Sequence, residues 1–313
     1  MKTTSLLLVF VLSGISVIAQ NNADLKLNPE KNVPYRFRSS SEQTISQTVN
    51  GIQQNTSVTS SSTLTLKMVD ATPDFSIAEV RFDTINTTTN AMGVTTVINS
   101  AVEGKISSAN MSDVMSCIMN RLSKNALYVK MDPTGKVIEL INARMLSDII
   151  LKDTNSVTGQ TAPMIKMQIR NMINEKALTA MVESFTYNLP GRSIAVGEKW
   201  DVTTTSGASG MSLDIMTSYL LNDITGNDAD ITAESNIKAS ENAAPMEYSG
   251  ARITYGDLKG ISKSNLTLNV RTGLPIDSKA KTRISGNLNV SAQGMEMQIP
   301  MEINIESRLM AIP

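Results

Sequence analysis

Ser235-Asn236-Ile237-Lys238 has the Ser-x-x-Lys spacing of serine–lysine catalysis, and Cys117 is the only thiol in the chain. Each needs particular surroundings to react. Residues i and i+3 share a face on a helix, but the stretch around Ser235 alternates like a strand, where they point to opposite faces. A nucleophilic cysteine needs a base and a depressed pKa, and the 313 residues include no histidine. That absence removes Ser–His–acid and Cys–His catalysis and His-based zinc sites together. Cys117 is expected beside an apolar helical stripe, as a partly exposed structural residue. Asp223, Asn227, Asp228 and Asp230 are the residue types of a calcium loop. Gly226 precedes the cluster and no glutamate closes it, so a hairpin turn is expected instead. Asp132-Pro133-Thr134-Gly135 and Thr272-Gly273 read as turns, without the further glycines and following helix of a phosphate loop. Paired carboxylates for hydrolysis need not be close in sequence, but none stands out. No catalytic residue, metal ligand or cofactor is assigned.

Residues 1–20 point to a compartment. Lys2 precedes the apolar run Leu6 to Leu12, and Val17-Ile18-Ala19 forms a small-residue cleavage site before Gln20. This pattern predicts a secretory signal peptide. No cysteine follows it to accept a lipid, so a free periplasmic or secreted protein is expected. The mature chain would carry a formal charge of about −2, which argues against a nucleic-acid partner. A lone cysteine allows no intramolecular disulfide. The 19 methionines against one tryptophan fit either an adaptable core or a pliable apolar cavity.

The elements that must position any site show in the periodicity. Leu64, Leu66 and Met68; Ala78, Val80 and Phe82; Leu213, Ile215, Tyr219 and Leu221; Leu266, Leu268 and Val270; and Met297 to Ile305 each alternate with polar residues. These are half-buried antiparallel strands. The middle of the chain is helical. Asn110 caps a helix carrying Met111, Val114, Met115, Ile118, Met119 and Leu122 on one stripe. A short helix is expected around Leu146, Ile149 and Ile150. A third runs from Thr161 and Pro163 through Ile165, Ile169, Ile173, Ala177, Met181 and Phe185 to the Asn188-Leu189-Pro190-Gly191 stop.

A faint repeat links the two ends. The Asp70–Ile77 turn and the Leu127–Glu139 hairpin recur in order as Asp223–Ile231 and Leu266–Asp277, offset by about 138–154 positions. Two similar β units flanking helices would close over one core. The expectation is therefore an α+β protein: a large curved antiparallel β-sheet of two similar halves, with a central helical segment packed on its concave face. After a 1–19 signal peptide, residues 20–313 form one domain. It comprises a β unit at 33–109, a helical segment with an intervening hairpin at 110–188, and a β unit at 194–313.

Several motifs carry a resemblance. They are Tyr35-Arg36-Phe37, the Asp132–Val137 turn, Leu189-Pro190, Val196-Gly197-Glu198-Lys199-Trp200 and Thr272-Gly273-Leu274-Pro275. Together they resemble a domain-of-unknown-function family of exported Bacteroidota proteins. That resemblance implies compartment and class, and carries over no functional residue. Asp83-Thr84-Ile85 is similar to the Asp-Thr-aliphatic O-glycosylation acceptor of that group, expected in an exposed turn past Phe82. The layout also resembles periplasmic lipoprotein-carrier folds, although layout does not determine function. The leading expectation is non-enzymatic binding of an apolar or lipid-like ligand in the periplasm, with Met111, Met115, Ile118, Met119 and Trp200 as ligand-binding candidates. A structural or protein-interaction module of the cell envelope, with an envelope protein partner, is the first alternative. A carboxylate-dependent hydrolase is the second. No transmembrane segment is expected in the mature chain.

Overall fold

The computed structural model describes residues 22–159, 162–208, 211–241, 245–248, 251–255, 257–292 and 294–313. The expected signal peptide and the Thr161 cap lie outside them. Strand β1 (Asn22–Leu25) leads into three long strands, β2 (Pro34–Val49), β3 (Ile52–Ala71) and β4 (Ser76–Ala91), then β5 (Val94–Asn99). Helix α1 (Met111–Lys124), the hairpin β6 (Leu127–Met131) and β7 (Val137–Leu140), and helices α2 (Ala143–Ile150), α3 (Ala162–Met172) and α4 (Glu175–Thr186) follow. The remaining chain is β8 (Arg192–Ala195), β9 (Lys199–Ala208), β10 (Met211–Thr225), β11 (Asp228–Ala239), β12 (Met246–Tyr248), β13 (Ala251–Thr254), β14 (Lys259–Asn269), β15 (Pro275–Ala292) and β16 (Met295–Ile312).

Among the described residues, 14 strands join one sheet along the order β7-β6-β4-β3-β2-β16-β15-β14-β11-β10-β9; β5 and the β12–β13 hairpin lie off that path, and β1 pairs with β8 separately. The pairings are antiparallel throughout. The two halves have the same strand order. Strands β2-β3-β4-β6-β7 correspond to β9-β10-β11-β14-β15, and each half carries its insertion between the third and fourth strand. β16 bridges them by pairing with β15 on one side and β2 on the other.

The equivalent Thr-Gly turns lie at one end of the sheet, which the segment after β1 straps together. Leu27 N–H donates to Pro133 O (2.8 Å) and Asn28 N–H to Thr272 O (2.9 Å). Gly135 (φ 83°) and Gly273 (φ 70°) each accept a neighbouring backbone at van der Waals range. A Cβ on Gly135 would run into Thr186 O, and one on Gly273 into Lys26 O.

Strand alternation decides which face is buried. Phe37, Leu64, Leu66, Met68, Ala78, Val80 and Phe82 from the first half form one cluster with Leu221, Ala229, Ile231, Leu266 and Leu268 from the second. Buried residues of α1 to α4 complete it. Helix α4 packs on both β7 and β9, which end the strand order, so the sheet curls around the helices there. Farther along the same face, hydroxyl pairs Ser41–Ser60 (2.9 Å), Thr217–Ser235 (2.9 Å) and Ser262–Thr282 (2.7 Å) replace apolar contacts. A second small cluster of Leu213, Ile237, Leu258, Ile284, Met301 and Ile303 follows. The other face carries ion pairs such as Lys281–Glu306 and Arg283–Glu302.

Several local expectations need correction. The helix anticipated from Pro163 to Phe185 is two helices, broken at Ile173–Asn174. An i, i+4 apolar repeat drifts about 40° per step on a helix of 3.6 residues per turn, so it cannot keep one face inward for five steps. Asn174 restarts the chain as an N-cap, its Oδ1 accepting from Ala177 N–H at 2.8 Å. Leu178 and Val182 then turn inward on α4. Cys117 is buried rather than partly exposed. β4 does not end at Phe82. It continues past a bulge at Asp83, which accepts from Thr65 Oγ1 at 2.6 Å, so Thr84 is an exposed strand residue and not a turn. Asn110 does cap α1, accepting from Ser112 N–H at 2.8 Å.

Candidate functional site

The Leu189-Pro190 to Trp200 stretch places the site. α4 ends at Thr186, Pro190 keeps the chain from resuming a helix, and Leu189 between them is buried. Gly197 (φ 87°) donates its N–H to Leu221 O at 2.8 Å. Glu198 accepts from Ala195 N–H (3.1 Å) and pairs with Arg192 (2.7 Å), two contacts that hold its carboxyl below its ordinary pKa. The chain thus enters β9 with Trp200 facing inward, 7% exposed. Its indole stacks on Tyr219 of β10, and its Nε1–H donates to the main-chain carbonyl of Asn188 at 3.1 Å.

A cavity of about 270 Å³ lies between α4 and the inner face of β9, β10, β14, β15 and β16. The sheet wall is mixed: Val202, Ile215, Leu266, Leu309 and the Tyr219 ring stand among the hydroxyl residues Thr204, Thr205, Thr217, Ser264 and Ser278. The α4 wall carries Glu183, Tyr187 and Asn188. Glu183 Oε1 accepts from Val137 N–H of β7 at 3.0 Å, closing the edge of the sheet onto the helix. Burial pushes the Glu183 carboxyl up, against the lowering effect of that N–H and of the Lys136 charge, while Asp132 pushes it up further. Burial, and then nearby Tyr187, push the Tyr219 phenol up to about 12, with the Thr217 hydroxyl opposing. Asn188 Oδ1 is buried without a hydrogen-bond partner.

The sequence candidates fall in two places. Met115, Ile118 and Met119 are buried in the main core and Met111 packs at its edge, none of them lining this cavity. Trp200 stands behind Tyr219, which does line it. Glu183, Tyr187, Asn188 and Tyr219 escape sequence reasoning. Tyr219 shows only as strand parity, and Glu183 carries no local signal, because sheet curvature alone brings α4 to these strands. Among the described residues no cluster of three or more Cys, Asp and Glu could hold a metal, and no helix is long and apolar enough to cross a membrane.

Two other depressions are less suited to enclose a ligand. One, of about 1020 Å³, crosses the charged face of β3, β2, β16, β15, β14 and β11, where Lys263, Lys281 and Arg308 are paired with Glu234, Glu306 and Asp277. Another, of about 640 Å³, lies along the outward side of α2 at Ile141, Met145 and Ile149.

No curated protein sequence matches the chain. Among solved structures, a lipovitellin studied for lipid–protein interactions superposes over 91% of this chain at 8% identity and a TM-score of 0.45. The chain spans about a quarter (25%) of that lipovitellin chain. The COG4313 outer membrane channel from Pseudomonas putida F1 aligns over 92% of this chain and 98% of its own, at 8% identity and a TM-score of 0.28. The translocator domain of autotransporter NalP from Neisseria meningitidis aligns over 91% and 90%, at 5% identity and 0.23. At such scores these likenesses bear no weight on function. The model of the Family of unknown function (DUF6263) matches residues 74–275, from β4 across the helices and the Trp200 turn to the start of β15, and the chain belongs to that family.

Proposed function

We propose that this protein is a non-catalytic, exported binding protein that holds an apolar, lipid-like ligand between α4 and the second half of the sheet. The observation that carries this reading is the cavity of about 270 Å³, where Val202, Ile215, Leu266, Leu309 and the Tyr219 ring offer apolar surface among serine and threonine hydroxyls, opposite the polar end of α4. In ligand sites apolar lining supplies affinity and polar groups supply orientation. A tightly packed interior would instead favour a purely structural module. Glu183 is the one carboxylate among the cavity's lining residues, so a two-acid hydrolytic arrangement lacks its second acid there. Export rests on the Lys2 to Ala19 pattern.

Native mass spectrometry of protein purified from its own envelope tests the reading. The expected result is a co-purified lipid or small amphiphile, released by organic extraction. Protein that emerges ligand-free and instead carries a stoichiometric protein partner would count against it.

A further inference from the structure

Resting on that reading, we propose that the α4 wall of the cavity is a head-group subsite for an amine, so that the ligand is a small cationic amphiphile rather than a fatty acid or an anionic lipid. The argument is a count of donors, acceptors and charges. Among the lining residues there is one acid, Glu183, and no lysine or arginine. An anionic head group would meet a like charge with no basic residue in the lining itself to offset it. Glu183 uses Oε1 for the Val137 N–H, and no ion pair within 4 Å engages the carboxylate among the described residues. Lys136, the nearest basic residue acting on it, lies over the Tyr187 ring with its Nζ 5.8 Å from the centroid.

Asn188 lines the same wall. Its Oδ1 is buried and unpaired, which is costly unless something donates to it. Trp200 fixes the Asn188 main chain through its carbonyl, so the residue is held at the cavity wall. An ammonium group has three donors and no acceptor. It matches the carboxylate oxygen that Glu183 leaves free. The opposite wall of Ile215, Leu266 and Leu309 takes the chain. The volume of about 270 Å³ equals roughly nine water volumes, which suits a short alkyl chain.

The test uses the delipidated full mature protein and a neutral apolar fluorophore, N-phenyl-1-naphthylamine, displaced at neutral pH by decylamine, decanol or decanoate. Decylamine should displace the probe at concentrations about tenfold below decanoate, with decanol between, as expected for one charge-assisted hydrogen bond. Glu183→Gln keeps an acceptor for the Val137 N–H. It should erase most of the advantage of the amine over the alcohol in a variant that still binds the fluorophore and whose melting temperature at neutral pH is no lower than that of wild type. Probe binding with decanoate equal to or better than decylamine overturns the head-group assignment while leaving apolar binding intact. An amine preference that survives in Glu183→Gln overturns it too. No probe binding at all defeats the apolar-binding reading itself, and the subsite with it.

Discussion

The Trp200 indole lies nearly parallel to the Tyr219 ring, with centroids 5.1 Å apart and planes 10° from coplanar. Because the same indole donates to Asn188 O on the opposite wall, one side chain fixes the spacing between the end of α4 and β10. The cavity therefore depends on Trp200 without Trp200 lining it. Trp200→Ala should lower stability by about 3–5 kcal/mol, read by urea denaturation. Trp200→Phe keeps a stacking ring and loses the hydrogen bond, at about 1 kcal/mol. A Phe variant as unstable as the Ala variant would place the importance of Trp200 in the hydrogen bond instead.

Met115 is fully buried under the sheet, packed with Val114, Ile118 and Met119. Met115→Asp buries a carboxylate without a partner, costing several kcal/mol beyond the roughly 1.5–3 kcal/mol of lost apolar burial. Global unfolding in mild denaturant is the expected outcome. Lys166→Asp, on the polar side of α3, should change stability by no more than about 0.5 kcal/mol. Survival of a folded Met115→Asp protein with its melting temperature intact would mean that water reaches this stripe.

Glu79 accepts from Arg81 Nε at 2.6 Å and pairs with Lys67 at 2.9 Å on the charged face. The Lys67 contact, joined by Arg81, holds its carboxyl below the ordinary value of 4.5 despite burial. A depressed carboxylate stabilises the fold above its unfolded pKa, and that stability disappears as pH falls through the folded value. Glu79→Gln should therefore be less stable than wild type at neutral pH, with the gap closing in acid. Glu183 has the opposite sign. Its raised carboxyl favours the fold at pH below 4.5 and loses that contribution as pH rises through the folded value. Glu183→Gln should gain on wild type as pH rises from acid to neutral. Equilibrium unfolding across pH 3–8 with both variants reads the two slopes, and parallel curves would contradict the assignment.

Gly135 and Gly273 combine positive φ with backbone contact, so alanine there is strained twice over. Gly226 also has positive φ (62°) but faces open space. Gly226→Ala should cost about 1 kcal/mol, and Gly135→Ala or Gly273→Ala clearly more, because Thr186 or Lys26 must move. Equal losses at all three would show that the Thr186 and Lys26 backbones give way without cost.

Much of the fold is legible because strand parity is local. Leu64, Leu66 and Met68, or Leu266 and Leu268, announce their buried face by alternation alone, and the matching turns disclose the repeated strand order. The α3–α4 break hides because Ile165 to Phe185 preserve apolar spacing across Asn174, and a capping asparagine in a helical run looks like a polar surface position. The cavity hides for a different reason. Glu183, Ile215, Leu266 and Leu309 come from a helix and three strands up to 126 positions apart, and only the curl of the sheet onto α4 makes them neighbours. Trp200 sits between these cases: its type and its place after Gly197 mark an anchor, but not what it anchors.

The claim that the space between α4 and the sheet holds an apolar ligand is tested most directly by titrating a neutral apolar fluorophore into delipidated wild type and Ser264→Phe. Ser264 lines the cavity from β14, and a phenyl ring there occupies it. The account predicts saturable one-site binding to wild type, lost in Ser264→Phe at an unchanged melting temperature. Absence of saturable binding by wild type, or undiminished binding by the folded Ser264→Phe protein, would contradict it.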